Sequence, residues 1–418
     1  MVNYDKFVLA NGLRVLVHED PTTPMACVNV LYDVGARDED PERTGFAHLF
    51  EHLMFGGSVN IPNYDEVLQR VGGENNAFTS NDITNYYITL PAVNLETALW
   101  LESDRMLSLA FNEQSLEVQR NVVLEEFKQR YLNQPYGDVW LRLRPLAYKT
   151  HPYRWATIGK NMKHIEDATM DEVKDFFKTH YHPANAILVV AGDVKTDEVK
   201  KLVEKWFDTI PAQTVKQRNL PQESPQTIAR RESTEADVPA DSIYIAFHGP
   251  DRLHADYQVL DLLSDLLSRG GSSRLYQQLV KEKQLFSEVN AYLMGSIDTN
   301  LFVVEGKPAD GVSLSDAEAA LWIELDLLKT KLAEENELQK VKNKVESTMV
   351  FAELSILDKA MNLAYFELLG NASEYNTEVD KYIAITAQDI KRVANDVFRT
   401  ENSSTLSYYA KKSEAHAE

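Results

Sequence analysis

Apolar and polar positions along the chain divide it into short strands and long helices. Residues 6–9 and 13–18 are short, mostly apolar runs on either side of Asn11 and Gly12, the pattern of two strands joined by a tight turn. A third strand-like run, 26–32, apolar except for Asn29, leads through a charged loop to a segment in which Phe46, Leu49 and Leu53 recur three and four apart. That spacing predicts one apolar helix face, with Pro41 and Thr44 suited to the first turn and Gly56 and Gly57 to the end. Residues 62–71 predict another helix closed by Gly72 and Gly73, and 76–79 and 84–90 predict polar-rich strands. Long amphipathic helices follow over 95–111 and 113–131, then a helix over 169–180, a strand over 186–191 and a helix reaching Trp206.

From Pro211 to Asp237 the chain carries Pro221, Pro225 and several Gln with few apolar residues, the composition of a linker. The plan then repeats: a strand over 242–247, a helix near 256–267, a turn at 269–273 with a further helix, a strand over 300–305 and long helices over 316–369. A weak internal match runs at a constant offset of 217, aligning 169–174 with 386–391, Tyr181 with Phe398 and Asn185 with Asn402. Repetition of this kind marks duplication of one structural unit. The expected fold is therefore α+β, two similar domains, each a mainly antiparallel β-sheet covered by α-helices. The expected boundaries are 1–212 for the first domain, 213–236 for the linker and 237–418 for the second.

Composition narrows the class. With 418 residues, 44% of them hydrophobic and 26% charged, two globular domains are expected. The formal net charge of −21 argues against nucleic acid as a partner and mildly favours cationic substrates. Cys27 is the only cysteine, so no disulfide framework is available. No run reaches the length of a membrane span, and the first residues lack the basic and apolar regions of a signal peptide. The sequence as given thus points to the cytoplasm, or to the periplasm if such a peptide has been trimmed.

The chemistry is concentrated in the first domain. His48 and His52 lie four apart, one turn above each other on a helix, with Glu51 between them. Two neutral imidazoles suit Zn2+ and leave positions for a third protein ligand and a water. An adjacent carboxylate can then take the proton from the water. His-x-x-Glu-His inverts the commoner His-Glu-x-x-His order. Pairs of histidines at this spacing also arise as ordinary core residues. Here Phe46, Leu49, Leu53 and Met54 surround three polar side chains that are costly to bury unless something satisfies them. The third ligand is not fixed by this motif; Glu117, Glu125 and Glu126 all lie on the helical stretch that follows.

Taken together, residues 45–57, Gly72 and Gly73 with 76–79, residues 119–126 and residues 182–193 resemble the M16 metallopeptidases over essentially the whole chain. The resemblance implies a zinc-dependent endopeptidase acting on extended peptides. It implies His48, His52 and Glu126 as metal ligands and Glu51 as general base. The helical phase agrees, since Gln119 and Glu126 are two turns apart on one face while Glu125 is turned by ~100°. In several relatives a Glu supports the site at the position of Gln119, where the amide can still orient a ligand but adds no charge. The resemblance also makes Asn76, Ala77, Phe78 and Thr79 an open edge strand to which the peptide adds.

One stretch departs from the family. Relatives that complete the site in their second domain carry an Arg and a Tyr seven apart, where this chain has Val280 and Ser287. Lys281 or Tyr292 would replace them only with a shifted register. The expected protein is thus the catalytic subunit of a dimeric peptidase, paired with a related chain that supplies the Arg and Tyr. A homodimer is the second choice, and a non-catalytic scaffold subunit is the alternative function.

Overall fold

The structure, a computed structural model, describes residues 1–411. It contains two sheets. The first runs in the order β1 (Asp5–Val8), β2 (Arg14–Glu19), β6 (Ala186–Gly192), β3 (Met25–Tyr32), β5 (Thr84–Pro91), β4 (Glu74–Thr79). The second runs β7 (Arg230–Ala236), β11 (Ser403–Ala410), β8 (Ser242–Gly249), β10 (Asn300–Pro308), β9 (Phe286–Leu293). In both, one pair is parallel, β2 with β6 and β7 with β11, and the remaining pairs are antiparallel. The α+β class and the two similar, mainly antiparallel sheets match the pattern of the sequence.

The duplication extends to single hydrogen bonds. Thr169 and Thr386 each close a capping box, with Glu172 and Asp389, at the start of helices Met170–His180 and Ala387–Val397. Beyond those helices, the Asn185 side chain donates to the His180 carbonyl at 2.9 Å, and Asn402 donates to the Val397 carbonyl at 2.9 Å. Both pairs obey the offset of 217, and each Asn introduces the strand that forms the parallel pair, β6 or β11.

The compact units do not follow the expected boundaries. Among the described residues, one comprises 1–128, 155–220 and 348–378; the other comprises 129–154, 221–347 and the chain from 379 onward. Two helices cause the exchange. Helix Ile356–Leu368 lies on the first sheet, packing Leu363 and Ala364 with Leu16, Cys27, Leu31, Ile187 and Val189. Residues 139–147, which carried no clear helical signal around Pro145, form a helix that packs Val139, Leu143 and Ala147 with Tyr244, Ala246, Val303 and Leu406 of the second. Residues 230–236 of the expected linker are strand β7. All but one of its side chains are polar, and it is an edge strand half in solvent, which explains its linker-like composition. In contrast, β6 is buried along its entire length and reads as an unbroken apolar run.

Candidate metal centre

The centre lies wholly in the first unit, on two helices and an edge strand. Helix α1 (Phe46–Leu53) buries Phe46, Ala47, Leu49, Phe50 and Leu53 and turns His48, Glu51 and His52 the other way. Phe50 anchors its back, stacking on Phe176 at 5.1 Å and on Tyr181 at 5.0 Å between ring centres. The loop after α1 is pinned by Asp104, whose carboxylate accepts from the Ser58 hydroxyl and, at 2.6 Å, from the Asn60 amide.

The start of α1 differs from the sequence expectation. Gly45, not Thr44, precedes the first helical residue, and its φ of +93° suits glycine. A Cβ there would meet the Ile158 carbonyl oxygen at 2.7 Å. The cap comes from Glu39, whose two carboxylate oxygens accept from the Gly45 and Ala47 amides at 2.9 Å each. Trp155 donates its indole N–H to the same carboxylate at 3.1 Å. These donors favour the ionised form, but burial outweighs them and pushes the Glu39 carboxyl up to about 8. Nothing in the sequence pattern marked Glu39, since its partners reach it only through a turn that folds residues 36–38 back on the helix.

Helices α2 (Tyr64–Arg70) and α3 (Leu95–Leu107) pack on each other. Buried Arg105 on α3 pairs with Glu102 and sits over the rings of Tyr86, Tyr64 and Phe55 at 4.4, 5.0 and 5.6 Å. This desolvated cation fixes Phe55, just past the end of α1, against strand β5.

Glu126 enters from α4 (Glu113–Phe127). Its Oε2 stands 3.6 Å from His48 Nε2 and 3.4 Å from His52 Nε2. Those separations exceed a hydrogen bond and are close to the ~3.3 Å between neighbouring ligand atoms of a tetrahedral ion with bonds of about 2.0–2.1 Å. One ligand atom from each of the three residues lies within 4.8 Å of the others, and no other such group occurs among the described residues. The side chains retain 12%, 25% and 18% exposure, so the site is open to solvent on one side. Two imidazoles and one carboxylate are a donor set that fits Zn2+ with a position left over. Glu125 is 60% exposed and paired with Lys128 at 2.6 Å, and Gln119 is half-buried on the same helix.

The residues expected to bind peptide, Asn76 to Thr79, lie on β4, the last strand of its sheet. Asn76 and Phe78 are exposed and Ala77 and Thr79 half-buried. The Thr79 hydroxyl donates to Glu51 Oε2 at 2.6 Å, a contact that sequence spacing could not show. In the second unit, Val280 is half-buried and the exposed Ser287 hydroxyl donates to the Lys307 carbonyl at 3.2 Å. Lys281 sits over the Tyr276 ring at 5.4 Å, and the Tyr292 hydroxyl donates to Glu305 at 3.0 Å.

Comparison with known proteins places these features in context. The profile described as insulinase (peptidase family M16) matches residues 14–151, and that described as the peptidase M16 inactive domain matches residues 167–345. A zinc protease of Helicobacter pylori, PqqE, is 32% identical over 411 residues, spanning 96% of this chain and 92% of that one. A probable mitochondrial-processing peptidase subunit beta of Arabidopsis thaliana is 25% identical over 403 residues, spanning 93% of this chain and 75% of that one. Among solved structures, a protease from Helicobacter pylori superposes with a TM-score of 0.91 at 30% identity, spanning 98% of this chain and all of that one.

Proposed function

Because this chain belongs to the M16 peptidase family, we propose that it is a zinc-dependent endopeptidase of extended peptides and the catalytic member of a two-chain enzyme. The convergence of His48 and His52 on the Glu126 carboxylate, with Glu51 on the same helix, carries the reading. Zinc, when bound, supplies a Lewis acid that polarises the scissile carbonyl and lowers the pKa of a water. His48, His52 and Glu126 are the residues that would hold it.

Glu51 takes the proton from the attacking water and hands it to the leaving amine. Helix α1 carries both the base and two ligands, so the Glu39 cap and the Arg105 cluster keep their spacing fixed. The peptide adds as a strand along the open side of β4, where main-chain pairing accepts many sequences. Strand β4 supplies that edge, since β5 pairs with it on the other side only.

The role of a partner rests on the second unit. Val280 has no side-chain donor and the Ser287 hydroxyl donates to the Lys307 carbonyl, so neither replaces an Arg or a Tyr as a holder of substrate. Lys281 and Tyr292 are engaged with Tyr276 and Glu305. A related chain carrying the Arg and Tyr would complete the site, in keeping with the name of the Arabidopsis relative as a subunit. The test is hydrolysis of a quenched peptide by the native, co-purified protein. Activity should vanish on chelation and return with zinc; activity indifferent to chelation would overturn the reading.

A further inference from the structure

We propose that Thr79 is a positioning residue for Glu51, fixing one carboxylate oxygen of the base and tying it to the strand on which the peptide is held. The proposal rests on the reading of Glu51 as base and deepens it. Its observation is separate: a 2.6 Å hydrogen bond from the Thr79 hydroxyl to Glu51 Oε2, joining β4 to α1 across 28 positions of sequence.

Three features make the bond more than an incidental contact. A hydroxyl donating to one oxygen leaves the second oxygen as the proton acceptor and restricts rotation about the terminal bond of a long side chain. The branched Thr side chain is stiff at its first torsion, so the hydroxyl is held where the strand puts it. Lastly, the same residue faces the open edge of the sheet. The Ser80 amide donates inward to the Ile83 carbonyl, whereas the Ala77 amide turns away from β5 and donates to the Asn76 side chain at 2.8 Å. With backbone groups alternating along an antiparallel strand, Ala77 and Thr79 direct theirs outward, toward the position of an added strand. Thr79 can therefore pair with a peptide through its backbone while its side chain holds the base, so that register on the edge and placement of Glu51 are set by one residue. Asn76 Oδ1 occupies the place a peptide carbonyl would take on the Ala77 amide.

The experiment is a double-mutant cycle on the native protein with its co-purifying chain. Thr79→Val keeps the shape and the strand propensity but removes the hydroxyl; Thr79→Ser restores it. Thr79→Val should lower kcat about 10- to 100-fold, the range for losing a hydrogen bond to a charged group, with KM and zinc content unchanged. Thr79→Ser should recover most of that loss. In the Glu51→Gln background, Thr79→Val should cost nothing further in kcat, and the two inactive proteins should bind a fluorescent peptide equally. A Thr79→Val enzyme within twofold of wild type would overturn the proposal. So would the same loss in both backgrounds, or a loss confined to KM and peptide affinity. Failure of the underlying reading is distinct: Glu51→Gln itself would then remain active.

Discussion

Glu125 and Glu126 are adjacent in sequence and opposite in environment. Glu125 points to solvent and pairs with Lys128, while Glu126 faces two imidazoles at 3.6 and 3.4 Å. Glu126→Gln should therefore cut zinc affinity by more than the 10- to 100-fold that loss of an outer hydrogen-bond partner costs. Glu125→Gln should leave zinc content near wild type. Elemental analysis after dialysis checks both, and the reverse result would mean that the other face of α4 meets the metal. Glu39 carries a second prediction. Its carboxyl is raised from 4.5 to about 8 by burial, so the folded chain keeps a proton that the unfolded chain releases between those values. Its contribution to stability is then complete below pH 4.5 and is lost as pH rises through about 8. Relative to Glu39→Gln, which does not titrate, the wild type should become less stable across that window. Urea unfolding midpoints of the two proteins at about pH 5 and about pH 8.5 measure it, and parallel midpoints would contradict the assignment.

At the level of elements, the geometry of α1 depends on its entry. Gly45 combines a φ of +93° with a Cβ position 2.7 Å from the Ile158 carbonyl, whereas Gly270, at +87°, has nothing within 4 Å. Gly45→Ala should cost about 1–3 kcal/mol or more and lower metal content, and Gly270→Ala should cost less, because only conformational strain is added there. Thermal melting of the two variants separates the terms; equal melting temperatures would mean the contact with Ile158 relaxes freely. The entry also shows what sequence can convey. The apolar stripe of α1 and the match of 169–174 with 386–391 are local patterns, and each was legible in the chain. The cap from Glu39 and the Thr79–Glu51 bond join residues through tertiary folding, so no spacing rule reveals them. Strand β7 was hidden for a different reason: its sequence is almost wholly polar because it lies at a sheet edge. The helix over 139–147 was hidden by Pro145, whose disruption its packing against the second sheet overrides.

The whole molecule is a duplicated fold in which only the first copy carries His-x-x-Glu-His, at residues 48–52. The repeat at an offset of 217 made two domains legible, but the exchange of residues 129–154 and 348–378 between units was not, because long-range packing decides it. At this scale the proposed partner makes its own prediction. The isolated chain should hydrolyse a generic quenched peptide weakly or not at all, and Val280→Arg with Ser287→Tyr should raise that rate. Full activity of the isolated wild type, with no gain from the double substitution, would remove the need for a second chain. The most direct test of zinc-dependent proteolysis is a comparison of wild type and Glu51→Gln, each purified with its natural partner and measured for both zinc and turnover. Zinc should be equal in the two proteins, with kcat lower by about 10²- to 10⁴-fold in Glu51→Gln, the usual contribution of a general acid–base group. Undiminished turnover in a zinc-loaded Glu51→Gln enzyme would contradict it.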